Sequence, residues 1–443
     1  MANARELALQ TLINILNEGA YSNRAINEQI EKYKPNDQEK NFMTEIVYGS
    51  LQNYQLLEFY AEPYFKGKVK SWIKILVVMS LYQIIYLDGV PEHAAISEAV
   101  NIARKRGGEF NGKLVNAILR EMMRNPLRNL EDITNEQEKL AIETSHPLWL
   151  IKLWWKQFGA NQTIAMAHAN NERVQVTIRT NTLKGTREAL KQKLEADGIK
   201  CKNGYLNEEA LIITKGNVIK TKAFEEGWFY IQDEASMLVA SLLNPKPNSK
   251  ILDTCSAPGG KTTHVAQLMN QTGEVFAHDI YQHKIKLIEE NAKRLGLKNI
   301  TTHIQDATAL DECYEKESFD AILVDAPCSG LGILRRHPEV KLTKKPEDLD
   351  GIIQIQSKIL KTVAPLVKVG GKIVYSTCTV NRKENDKLIE QFLKENSNFA
   401  LDETISEHVM EPLKDEVKSG MIQLFPDKFK TDGFFIACLY KKN

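Results

Sequence analysis

The chain has 443 residues, 43% of them hydrophobic, enough to bury a large core and to fill two or three domains. Its 58 basic and 57 acidic residues leave a net charge of +1, which excludes a global field drawing it to polyanions, so nucleic-acid contacts must come from local patches. The six cysteines lie far apart with no C-x-x-C pair, which argues against a disulfide framework and a zinc site, and MANARELALQ has no continuous apolar signal core. These features predict a reduced, soluble, cytoplasmic protein with no metal and no membrane partner.

The first 140 residues read as helix throughout. Leu9, Leu12, Ile13 and Leu16 recur on one helical face, with Gly19 placed as a cap. WIKILVVMSLYQIIYL is apolar nearly all round and too short to cross a bilayer, which predicts the central helix of a bundle. Between Asn101 and Leu130, seven basic residues (Arg104, Lys105, Arg106, Lys113, Arg120, Arg124, Arg128) face only Glu109 and Glu121. That window reads either as a solvated helix face or as an RNA contact, the latter favoured by the glycines at 107, 108 and 112, which can expose amides to phosphate. With Arg335 and Arg336 it forms the expected RNA-facing surface.

Residues 145–243 predict a small α+β domain, with strand-like VQVTIRTNT and EALIIT around the helix TREALKQKLEADG. Arg179 and Asn181 lie on its sheet, where alternate polar positions face water or a nucleic acid. From 244 to 443, apolar strands KILDT, GEVFAHD, ITTHIQD, FDAILVD and GKIVYST alternate with helical patterns, giving an α/β domain with a mostly parallel sheet covered on both faces. Ligands of such a sheet bind beyond the carboxyl ends of its strands.

The first of these strands runs into DTCSAPGGKTTH. Cys255 occupies the position where a phosphate-binding loop needs its first glycine, so GGKT does not complete one. Pro258, Gly259 and Gly260 instead give a tight turn free of bulky side chains. Asp279, Asp306 and Asp325 end the next three strands; singly each reads as a solvated loop or cap residue, but together they suit a cofactor with a ribose and a positive charge and no phosphates. S-adenosylmethionine fits that description.

Cys328 and Cys378 follow the fourth and fifth strands, facing the same edge. A thiolate is a strong nucleophile. Carbon 5 of cytosine is too weak a nucleophile to take a methyl group unaided, and a thiolate added at carbon 6 makes it enamine-like; a second thiol can then assist release. Cys201, Cys313 and Cys438 read instead as small buried residues.

DTCSAPGGKTT, DAPCSGLGILRRHPEVK and YSTCT together resemble the RNA 5-methylcytosine methyltransferases of the Sun/Fmu (RsmB) family. LYQIIYLDGVPEHAAISEAVNIARKRG…GKLVNAILRE is similar to the NusB-like helical domain of its bacterial members. The resemblance implies a Rossmann-like S-adenosylmethionine-dependent methyltransferase sheet preceded by an all-α NusB-like domain and a ferredoxin-like α+β domain. It implies that Cys255, Ser256, Ala257, Pro258, Gly259, Gly260, Lys261, Asp279, Asp306 and Asp325 bind the cofactor. Cys378 is then the nucleophile and Cys328 the residue that aids product release. The implied substrate is cytosine 967 of 16S ribosomal RNA, bound by a monomer. Leu342 stands where family members often carry a tryptophan. The alternatives are a methyltransferase for another rRNA or tRNA cytosine, a DNA cytosine methyltransferase, or a non-enzymatic RNA-binding assembly factor.

Overall fold

The computed structural model describes residues 3–442. They fall into two compact units: one runs up to Glu172 and includes Leu334–Lys344, and the other comprises Arg173–Ile333 and the chain from Lys345 onward.

The first unit is helical. Its opening helix, Ala4–Glu18, is capped by the Asn3 side chain, which accepts from Arg5 N at 2.9 Å, and ends at Gly19 with φ +70°. A reciprocal cap of Asn36 and Glu39 starts the helix Asp37–Gln52. The all-round apolar segment forms Ser71–Tyr86, with Ile73 and every residue from Ile75 to Gln83 buried, and it sits at the centre of the core as its composition requires. The helix Leu148–Ala169 and the residues after it, which the sequence groups with the α+β segment, lie in this unit. So does the Leu334–Lys344 segment, although it follows Cys328 by only six residues. Its short helix Glu339–Thr343 brings Leu342 against the helical core. Lys341, 1% exposed, donates to Gln52 O at 2.9 Å and Asn171 Oδ1 at 3.1 Å. No helix among the described residues is long and apolar enough to cross a membrane.

The second unit holds two sheets. The smaller is antiparallel, in the order β2-β3-β1-β4, from β1 (Val176–Thr180), β2 (Lys200–Asn203), β3 (Ala210–Lys215) and β4 (Phe229–Ile231). The larger has nine strands: β5 (Lys250–Asp253), β6 (Glu274–Asp279), β7 (Ile300–Ile304), β8 (Phe319–Asp325), β9 (Val367–Thr377), β10 (Phe399–Leu401), β11 (Val417–Lys418), β12 (Met421–Leu424) and β13 (Phe434–Lys441). Its order is β11-β12-β13-β9-β8-β5-β6-β7, with β10 paired to β13. The pairs among β7, β6, β5, β8 and β9 are parallel and those made by β13 are antiparallel. Ile322, Leu323 and Val324 on β8, and Ile373, Val374 and Tyr375 on β9, are buried, as expected of central strands covered on both faces. The expected Rossmann-like sheet is thus present. The strand order reverses beside β5, the position at which sheets of this kind bind ligands beyond their carboxyl ends.

Candidate active site

The turn after β5 is held by its own backbone and by its neighbours. Gly259 N donates to Ser256 O at 2.7 Å, Ser256 N to His278 O at 2.8 Å, and Asn291 Nδ2 to Pro258 O at 3.0 Å. Gly260 opens the helix Gly260–Leu268. Cys255 lines this turn, and burial pushes its thiol up to about 12, which makes it inert as a nucleophile at neutral pH. Lys261 Nζ reaches Asp325 Oδ2 at 2.6 Å, and Ser376 Oγ donates to Asp325 Oδ1 at 2.8 Å. Burial works against the Lys261 ammonium, but Asp325, Cys378 and Asp253 outweigh it and raise its pKa. Asp279 ends β6 and accepts from Tyr281 N at 3.2 Å. Asp306 is exposed and accepts from Thr308 N at 2.8 Å, so in this structure it acts as a turn cap.

Asp253 is the residue that the sequence reading missed. Its carboxyl ends β5, is 1% exposed, and accepts from Thr262 Oγ1 at 2.7 Å through Oδ2. Burial pushes its pKa up to about 7. Its Oδ1 is buried without a hydrogen-bond partner. A buried acceptor without a donor, beside Asp325 and near Asp279, suits a cationic ligand, and the loop's only ammonium, Lys261, is committed to Asp325. The residues present therefore fit S-adenosylmethionine better than a phosphate cofactor.

Cys328 follows β8 and Cys378 follows β9, and the adjacent parallel strands bring their sulfurs to 3.1 Å. The two loops also share backbone: Gly332 N donates to Cys378 O at 3.0 Å, and Gly433 N to Gly332 O at 2.8 Å. A Cβ on Gly332 would stand 1.9 Å from Gly433 O, so only glycine permits this approach. The Cys328 thiol lies well above its usual pKa, first because it is hydrogen-bonded to Cys378, then because of burial and the negative charges of Cys378 and Glu384. Of the other cysteines, Cys438 is buried, Cys201 is half-buried, and Cys313 is exposed on a 3₁₀ turn, contrary to the expectation that all three are buried.

Arg179 and Asn181 do not face solvent. Each is 1% exposed. Arg179 bonds to Gln232 Oε1, Gly260 O at 2.7 Å and Thr263 Oγ1 at 3.0 Å, bracing the first turn of the helix Gly260–Leu268. Asn181 Nδ2 donates to Gly227 O and Leu295 O, both at 2.9 Å. In the helical unit, Gly108 turns the chain at φ +84° between helices Glu92–Gly107 and Glu109–Arg124. The basic window is exposed there but partly neutralised: Arg104 pairs with Glu109 at 2.5 Å, Lys105 with Glu6 at 2.7 Å and Arg128 with Glu62 at 2.8 Å. Arg335, expected on the RNA-facing surface, is only 7% exposed.

A family profile described as 16S rRNA methyltransferase RsmB/F matches residues 240–440, the NusB family matches 2–124, and an RsmF/B-like ferredoxin-like domain matches 146–220. The chain is 42% identical to the probable ribosomal RNA small subunit methyltransferase B of Bacillus subtilis, across 99% of each chain. The chain belongs to the RsmB/F family of 16S rRNA methyltransferases. Ribosomal RNA small subunit methyltransferase B of Proteus mirabilis, another relative, is 31% identical across 99% of each chain. Among solved structures, PH0851 superposes with a TM-score of 0.84 at 26% identity, covering 100% of this chain and 99% of its own. A methyltransferase homologue from Pyrococcus horikoshii gives 0.60 at 27% identity, covering 70% of this chain and 100% of its own. With RsmB/F membership, the three quoted motifs and the NusB-like segment fall inside the matched regions.

Proposed function

We propose that this chain transfers a methyl group from S-adenosylmethionine to carbon 5 of a cytosine in 16S rRNA, through a covalent bond between Cys378 and carbon 6. Cytosine 967 is the position that the resemblance implies, and the protein acts on it as a cytoplasmic monomer. The observation that carries the reading is the 3.1 Å approach of the Cys328 and Cys378 sulfurs at the ends of two adjacent parallel strands, beside a turn suited to a cationic cofactor.

In this reading the turn from Cys255 to Lys261, with Asp279, Asp306 and Asp325, holds the cofactor. When bound, S-adenosylmethionine supplies an electrophilic methyl group on a sulfonium. Cys378 adds to carbon 6 of the ring, placing electron density on carbon 5. Cys378 gives its own proton to solvent before it adds, and after methyl transfer the carbon-5 proton leaves to solvent while its electron pair re-forms the C5–C6 double bond and expels the Cys378 sulfur as a thiolate. Cys328, held as a thiol against that sulfur, donates a hydrogen bond to the departing thiolate, which regains a proton from solvent, so one net proton is released per turnover as the sulfonium becomes a neutral thioether. Arg104, Lys105 and Arg106 contribute to the RNA-facing surface of the helical unit.

A denaturing gel of the wild type, Cys378→Ala, Cys328→Ala and the double variant, each with 16S rRNA and cofactor, tests the assignment. Cys328→Ala is expected to accumulate a cofactor-dependent protein–RNA adduct, and the other two variants none. An adduct in Cys378→Ala would reverse the two roles, as in a DNA-type enzyme. Two merely structural cysteines would give no adduct in any lane.

A further inference from the structure

Glu384 is 0% exposed and has no cationic partner among the described residues. Its carboxyl instead gathers four donors. Oε1 accepts from Ser329 Oγ at 2.6 Å and Asn381 Nδ2 at 3.0 Å, while Oε2 accepts from Ser329 N at 2.9 Å and Gln356 Nε2 at 3.1 Å. Ser329 immediately follows Cys328, and Glu384 lies on the loop that follows Cys378. Gln356, 0% exposed on the helix Asp348–Val363, also donates to Pro327 O at 2.9 Å. Cys328 is therefore gripped on both sides: Pro327 through Gln356, and Ser329 through Glu384. Tyr375 OH holds the Glu384 backbone carbonyl at 2.8 Å, and Ser329 Oγ meets Thr379 Oγ1 at 2.9 Å, joining the grip to the residue after Cys378.

We propose that Glu384 is a positioning residue that clamps the Cys328 loop onto the Cys378 loop and so sets the sulfur–sulfur contact on which turnover depends. Four converging donors suit a carboxylate. They are mismatched to an amide, whose own N–H₂ would face donors, so Glu384→Gln is a sharp perturbation at nearly constant volume. The inference uses the reading of Cys328 as the release residue, but the clamp itself is testable without it.

Diamide closes adjacent thiols to a disulfide: two S–H bonds are lost, one S–S bond forms, and the N=N bond is reduced to the hydrazine. In the wild type, Cys328 and Cys378 are expected to close rapidly, followed by peptide mass spectrometry. In folded Glu384→Gln the rate is expected to fall about tenfold or more, and an unchanged rate overturns the clamp. If that variant does not fold, Ser329→Ala keeps the carboxyl and removes one hydroxyl bond. It is expected to slow closure several-fold, and a wild-type rate there likewise overturns the proposal. On the adduct gel, Glu384→Gln is expected to accumulate the same stalled species as Cys328→Ala, with cofactor affinity unchanged. An adduct in Cys328→Ala but none in Glu384→Gln sinks the clamp alone. No adduct in either, with diamide closure slowed in Glu384→Gln, leaves the clamp standing and sinks the release role of Cys328.

Discussion

Asp253→Asn is expected to stabilise the second unit in a pH-dependent way. Burial, reinforced by Asp325 and opposed by the Thr262 hydrogen bond, pushes the Asp253 carboxyl from 3.8 up to about 7. A group whose folded pKa lies above its unfolded value contributes stability in full below the unfolded pKa and loses it as pH rises through the folded one. The window here runs from about pH 4 to about pH 7. Between about pH 5 and pH 7 the folded chain keeps a proton that the unfolded chain has lost, and two pH units at about 1.4 kcal/mol each remove about 3 kcal/mol. Asparagine keeps an acceptor for the Thr262 hydroxyl and cannot ionise, so it escapes the loss. Chemical denaturation of both proteins at about pH 5 and about pH 8, read by hydrogen exchange on β5, measures the difference. The variant's advantage is expected to widen by about 3 kcal/mol between the two conditions. A difference that stays constant with pH would mean that Asp253 is ionised throughout and that the orphaned Oδ1 has found a donor.

The same carboxyl should report on the cofactor, because a cation arriving beside it lowers its pKa: near pH 7, binding is expected to release a fraction of a proton, seen by calorimetry in buffers of different ionisation enthalpy and absent in Asp253→Asn. Asp279→Ala is expected to weaken S-adenosylmethionine binding by roughly 1.5–3 kcal/mol in a folded protein, and unchanged affinity in a calorimetric titration removes it from the site. Neutralising Arg104, Lys105 and Arg106 is expected to weaken RNA binding and flatten its salt dependence; because Glu109 and Glu6 already pair with two of them, the slope should change by less than three charges' worth, and an unchanged slope marks a solvated face. Burial draws the Lys341 amine down to about 7, so the helical unit is expected to gain stability as pH rises from about 7 towards about 10, and Lys341→Met to flatten that rise in thermal melts.

The parallel strands and the two cysteines were legible because their signals are local. A run such as FDAILVD followed by a small polar turn has one reading in an alternating α/β pattern, and it carries Cys328 to the sheet edge. Arg179 and Asn181 were not legible, because period-two alternation predicts only which side of a strand a residue takes. It is silent on whether that side meets water or another element, and here Arg179 meets the helix Gly260–Leu268 while Asn181 meets the carbonyls of Gly227 and Leu295. Asp253 was overlooked as the last polar residue of an apolar run, where its burial depends on strands far away in sequence. The segment RRHPEVKLTK reads as a solvated basic loop by composition. Lys341 and Glu339 are nonetheless buried, at 1% and 2% exposure, since carbonyl groups of the helical unit take the place of water around the ammonium and Ser22 N donates to the carboxylate.

That excursion makes the helical unit something other than a detachable cassette. A chain shortened to begin at Arg173 would retain residues 334–344 but lose Gln52 and Asn171, the groups that receive Lys341. The eleven residues would be cast loose only six positions beyond Cys328, with an ammonium and a carboxylate seeking new solvation. Loss of the helical part is thus expected to reach the loop that carries Cys328 through the chain itself, because Leu334–Lys344 continues directly from Ile333.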